Sequence, residues 1–144
     1  MKEQNKQIKK VCGFHVNDWH LTTMILPYMH KEIEKQNQII TILQNGIKAN
    51  IEEILQKMNL NEELNKKIKQ IDWTKTYPAK YNKIKDKLES IKGQADNINI
   101  LVNGDKEFIE IVNKNIEKAV KYINIESKIT IINCYNVTRV CKHK

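Results

Sequence analysis

The chain has 144 residues, 40% of them hydrophobic and 29% charged, with a net charge of +8. That suits one domain with a proper core and excludes a disordered chain. No apolar run nears the ~20 residues of a membrane span, and residues 1–7 lack the apolar segment of a signal peptide, so a cytoplasmic protein without a membrane partner is expected.

Residues 1–9 are polar and read as an N-terminal tail, residues 10–138 as a single α/β domain, and residues 139–144 as a C-terminal tail. Val11–Val16 opens the sheet with apolar residues on both parities, the pattern of a strand buried on both faces. Asn17 or Asp18 can cap the helix that follows, whose stripe is Leu21, Met24, Ile25, Tyr28, Met29 and Ile33. Pro27 lies inside that stripe and predicts a kink. Ile39–Leu43 is the clearest strand, continuous and β-branched. After Gln44-Asn45-Gly46 comes a helix with Ile47, Ile51, Ile54, Leu55 and Met58 on one face, which residues 59–67 extend or follow with a second short one. Ile68–Trp73 is predicted as a third strand, at an edge because lysines interrupt it. Residues 74–78 form a loop, and residues 79–92 a helix stopped by Gly93. Ile98–Val102 is the fourth strand. Asp105 then caps a helix with Phe108, Ile109, Val112, Ile116, Ala119, Val120 and Ile123 in its stripe, and Ile129–Cys134 closes the sheet.

The order βαβαβαβαβ predicts a mainly parallel five-stranded sheet with helices on both faces. In such sheets ligands bind outside the carboxyl ends of the strands. Those ends carry His15, Asn17, Trp19, Asn45, Trp73, Asn103 and Tyr135, a set of aromatics, amides and one imidazole that suits a small ligand. Trp19 and Trp73 can equally be apolar plugs over the sheet edge.

Familiar chemistry is missing. Neither Asn45-Gly46-Ile47-Lys48 nor Asn103-Gly104-Asp105-Lys106 has the glycine spacing that converges backbone N–H groups on phosphate, so ATP chemistry is not expected. Cys12 and His15 point to opposite faces of one strand and cannot easily share a metal, and His20 and His30 sit on different sides of a helix. Cys141 and His143 are read as exposed tail. Cys12 and Cys134 read as free thiols packed as small hydrophobes, and nothing orients His15 toward Cys134 as a base. Asp72 and Asp105 both fall at strand ends, but Asp105 is better explained as a cap. No cofactor, no metal and no enzymatic activity are expected. The charge excess is almost all Lys, interleaved with Glu, with Arg139 the single arginine. Specific nucleic-acid readout favours Arg, so nucleic acid is not the expected partner.

The opening Cys12-Gly13-Phe14-His15-Val16-Asn17-Asp18, the helix with Leu26-Pro27-Tyr28-Met29 and Glu32-Ile33, and the strand Ile39–Leu43 resemble the start of the MEDS domain, a sensory domain of methanogen and methylotroph regulators. The close, Ile131-Ile132-Asn133-Cys134-Tyr135-Asn136-Val137, resembles that family's final strand. The resemblance implies a RecA/KaiC-like fold stripped of its nucleotide motifs and used as a ligand sensor. It departs from the family in its charged third strand and in having no room for a helix-turn-helix or kinase. The reading that follows is a non-enzymatic sensory or regulatory domain. It binds a small ligand, or a regulatory protein partner, at the carboxyl edge of its sheet, and a homodimer is compatible with it. The alternatives are a ligand-free protein-interaction regulator acting on a kinase or transcription factor, and a small enzyme.

Overall fold

The computed structural model describes residues 7–58, 61–76 and 79–137. Tyr77, Pro78, Arg139, Cys141 and His143 lie outside them. The elements in chain order are β1 (Ile8–His15), α1 (Asp18–Glu34), β2 (Gln38–Leu43), α2 (Lys48–Lys57), α3 (Glu62–Gln70), α4 (Tyr81–Ile91), β3 (Asn97–Gly104), α5 (Lys106–Ile123) and β4 (Lys128–Asn136). The strands form one parallel sheet in the order β1-β4-β3-β2.

The sheet therefore has four strands, not five. The segment read as the third strand is the end of α3 followed by irregular chain. Leu64 and Ile68 fall four residues apart and are buried, while Lys67 and Lys69 stay outside. Asn61 caps the helix by accepting from the N–H of Leu64 at 2.7 Å. A period near four, with a cap, outweighs an interrupted alternation.

The path of the chain explains the two layers of helices. From β2 to β3 to β4 the chain steps one place at a time in one direction, while from β1 to β2 it jumps back across the whole sheet. Right-handed crossovers then put α1 on one face and α4 and α5 on the other. The cores follow that rule. Leu21, Ile25 and Met29 of α1 pack with Ile51, Leu55, Ile68, Leu101 and Ile132. Ile84 and Leu88 of α4 pack with Ile109, Val112 and Ile116 of α5 and with Ile100 and Ile131. Alternate residues of β3 and β4 thus serve opposite cores, and each buried isoleucine contributes about 2 kcal/mol relative to exposure.

The helices α2 and α3 share the face of α1, whereas α4 lies on the other. Residues 71–76 accordingly run along the outer edge of β2. Thr76 N donates to Leu43 O at 2.7 Å, and the Thr41 hydroxyl donates to Asp72 O. The expected edge strand is thus replaced by the end of a helix and a loop that bonds to the edge of β2.

Two further expectations change. β1 starts at Ile8, inside the segment read as tail, and it is not buried on both faces. As an edge strand it leaves Val11, Cys12 and Phe14 exposed, so Cys12 is no packed hydrophobe, whereas Cys134 is buried. The helix α1 runs through Pro27, which is exposed.

Candidate functional site

The seven strand-end residues fall into two groups. Asn45 and Asn103 lie at the ends of β2 and β3, with Trp73 of the loop after α3 beside them. His15, Asn17, Trp19 and Tyr135 lie at the ends of β1 and β4.

The β2–β3 end is where the chain leaves neighbouring strands for opposite faces, the expected place for a ligand. Here the protein fills it with its own groups. Asn103 Oδ1 accepts from Gln44 N at 2.9 Å and Asn45 N at 3.3 Å, and its Nδ2 donates to Asn45 O at 3.1 Å. Gln44 Oε1 accepts from Asp105 N at 2.8 Å, and Gln44 Nε2 donates to Asp105 Oδ2 at 3.2 Å. Gly104 makes this closure possible: at φ +152° its added Cβ would lie 2.5 Å from Gln44 Oε1. Asp105 caps α5 by accepting from Phe108 N at 2.9 Å.

Trp73 is a plug. It is 2% exposed, its indole N–H donates to Ile68 O at 2.8 Å, and its carbonyl accepts from Ile47 N at 2.9 Å. Both expected ligand roles, for Trp73 and for Asn103, are thus taken up by structure. The void beside Trp73 and Thr74 is only about 110 Å³, well below the size of a drug-like pocket.

The β1–β4 end is different. Asn17 caps α1, its Oδ1 accepting from His20 N at 2.8 Å, and His20 Nδ1 accepts from Val16 N at 3.2 Å. His15 is 2% exposed, lies opposite Asn136 in the parallel register, and its Nδ1 meets no partner among the described residues. Burial pushes its pKa below the usual 6.5, Asp18 opposes that shift, and His20 adds to it, so the ring is neutral at pH 7. Tyr135 stacks on Phe14 with ring centroids 5.6 Å apart. Trp19 is 39% exposed, and Lys57 Nζ stands 5.4 Å from its ring.

Large apolar side chains concentrate here. Among the described residues the exposed ones are Val11, Phe14, Val16, Trp19, Met24, Ile111 and Tyr122, so five of seven fall in one stretch of fourteen residues. Phe14 at 58% and Val16 at 53% are the most open of the five. Edge position explains how they come to be uncovered. β1 has a neighbour on one side only, and on one face α4 and α5 cover β2, β3 and β4 but leave Phe14 and Tyr135 at the margin. The sequence signal was present as an apolar strand, but β-propensity alone could not show that the strand lies at an edge.

The buried thiol of Cys134 pairs in register with Gly13, not with His15. Burial pushes its pKa up to about 12, which leaves no thiolate for nucleophilic chemistry. Among the described residues no cluster of three or more His, Cys, Asp or Glu could hold a metal ion, and no helix is long and apolar enough to cross a membrane.

The fold and this edge together define a three-layer α/β domain on a four-stranded parallel sheet, closed at one half of its carboxyl edge and apolar at the other. A scan against protein-family models, a search of curated proteins and a search of solved structures find no match to this chain.

Proposed function

We propose that the protein is a non-enzymatic regulatory domain of the cytoplasm that docks a protein partner at the open half of its carboxyl edge. The carrying observation is the concentration of exposed apolar side chains, Phe14, Val16, Trp19 and Met24, where β1 runs into α1. Exposed apolar clusters of this kind mark association surfaces, and aromatic anchors supply most of the affinity in such interfaces. A protein partner fits better than the small ligand expected from the strand-end residues, because the β2–β3 crevice is filled by Gln44, Asn45 and Asn103. The likeness of the ends of the domain to MEDS sensors supports a regulatory role, and the RecA/KaiC-like part of that likeness belongs to this proposal.

Native mass spectrometry of the protein taken directly from its cells tests this reading. Wild type is expected to carry a second polypeptide, and Trp19→Asp to lose it while staying folded. A retained small molecule with no second chain, or a complex indifferent to Trp19→Asp, overturns it.

A further inference from the structure

The other edge of the sheet carries a second site. Edge strands are normally protected by charges, prolines or bulges, because their free N–H and C=O groups pair readily with another chain. β1 has Lys9 and Lys10. β2, Gln38–Leu43, has no charge and no proline. What protects it comes from outside: Thr76 N donates to Leu43 O at 2.7 Å, and Lys87 Nζ donates to Thr41 O at 2.8 Å. These two bonds show which residues of β2 face outward, since successive strand residues alternate. Leu43 and Thr41 do, and so must Ile39. Among the described residues no hydrogen bond reaches the outward groups of Ile39.

A groove of about 550 Å³ runs beside this half of β2, between the end of α3 and the side of α4. Ile33, Ile39 and Ile71 give it apolar walls, and Lys87 and Asp72 stand in the same lining. At the Leu43 end it is shut by Thr76. A strand entering parallel to β2 must therefore stop level with Thr41. The group found there is the Lys87 ammonium, half-buried and held by one carbonyl. Among the described residues it is in no ion pair within 4 Å, whereas Lys67 is 3.6 Å from Glu63. The carboxylate of Asp72 attracts Lys87 from beyond ion-pair distance, while its hydrogen bonds are local, accepting from Thr74 N at 3.0 Å and from the Thr74 hydroxyl.

We propose that this groove binds an extended peptide with a free C-terminal carboxylate, added parallel to β2 as an outer strand. The backbone of Ile39 pairs with the peptide, and the terminal carboxylate meets Lys87. The span from Gln38 to Thr41 is roughly 10 Å, so the last three or four residues of the peptide are read. Apolar side chains on the peptide fit the isoleucine walls. The site lies on the opposite edge of the sheet from the β1 surface and is independent of it.

The test uses the intact protein and four probes. They are an acetylated tetrapeptide of valine and threonine with a free carboxylate, the same peptide as its C-terminal amide, its backbone N-methylated twin, and hexanoate. Amide chemical shifts of Ile39 and Thr41 report binding. The free-carboxylate peptide is expected to move both signals and to bind about tenfold tighter than the amide, the size of one charge-assisted hydrogen bond. N-methylation is expected to abolish binding. Lys87→Met, checked for folding by circular dichroism, is expected to bring the two peptides within about twofold of each other. Equal binding of acid and amide overturns the carboxylate role. Equal binding of the N-methylated peptide overturns the strand pairing. Hexanoate binding as tightly as the peptide makes the groove a small-acid site instead, and no shift with any probe at several millimolar removes the site. The comparisons made on wild type stand even if Lys87→Met unfolds.

Discussion

Trp73→Ala and Trp19→Ala form a pair that separates plug from surface. Both residues were expected at the carboxyl edge, and the structure assigns them opposite roles. Trp73 is buried within the core formed by α1, α2 and α3, and its indole N–H satisfies the carbonyl of Ile68. Truncating a buried tryptophan costs about 3–5 kcal/mol, and the lost hydrogen bond lies within that sum. With a urea slope of about 2 kcal/mol/M, typical of a small domain, the midpoint falls by about 2 M. Trp19 is partly exposed and touches Lys57 across its ring, an interaction worth about 0.5–1 kcal/mol, so its midpoint moves by less than about 0.5 M. Trp73→Phe keeps most of the apolar volume and isolates the hydrogen bond, at about 1–2 kcal/mol. Far-UV circular dichroism is the right probe, because tryptophan fluorescence changes with the substitution itself. Equal midpoints for the two alanine variants would refute the assignment of Trp73 to the core.

The core makes a second comparison: Ile131→Ala, at a fully buried site in β4, is expected to cost about 2–5 kcal/mol in urea unfolding, and Ile40→Ala on the partly exposed edge strand distinctly less. Gly104→Ala is expected to cost about 1–3 kcal/mol in the same unfolding, because the Cβ strikes Gln44 at a backbone angle that L residues rarely adopt; an unchanged midpoint would mean the β2–β3 crevice is not closed. His15 has a folded pKa below its unfolded value of 6.5, so the unfolded state takes up the proton first and stability falls as pH drops through about 6.5 and below. Thermal melts from pH 7.5 to 5 should show that loss in wild type and a flatter profile in His15→Gln. Brief alkylation of the native protein, read by peptide mass mapping, should label Cys12 and spare Cys134.

Much of the fold was legible in the sequence because local and tertiary signals agreed. The strands at Ile39–Leu43, Ile98–Val102 and Ile129–Cys134 are short runs rich in β-branched residues, and each lies in a strand of the sheet. Asp105 was readable as a cap, and Asn17 as one of two candidates with Asp18, because a short polar side chain before an apolar stripe satisfies the free N–H groups of a helix. The segment from Ile68 to Trp73 misled because Ile68 and Ile71 also fit a helical turn, and the charges between them look the same at a strand edge as on a helix surface. Strand order could not be read, since apolar runs do not state their neighbours. That one gap hid the most: only with β1 and β2 at the edges do the exposed Phe14 and the groove beside Lys87 come into view. The strand-end residues divide between the two halves of the carboxyl edge, and Trp73 comes from a segment that is no strand. Asn103 and Trp73 meet their hydrogen-bonding needs inside the chain.

Site-specific photo-crosslinking in living cells addresses the docking surface most directly. A photoreactive phenylalanine analogue replaces Phe14 at the open half of the carboxyl edge. In separate variants it replaces Asn45 at the closed half, and Tyr122, an even more exposed position on α5. One discrete adduct is expected from position 14, lost when Trp19→Asp is added, and none from positions 45 or 122. Adducts from position 45 or 122 with none from position 14 would contradict this docking surface.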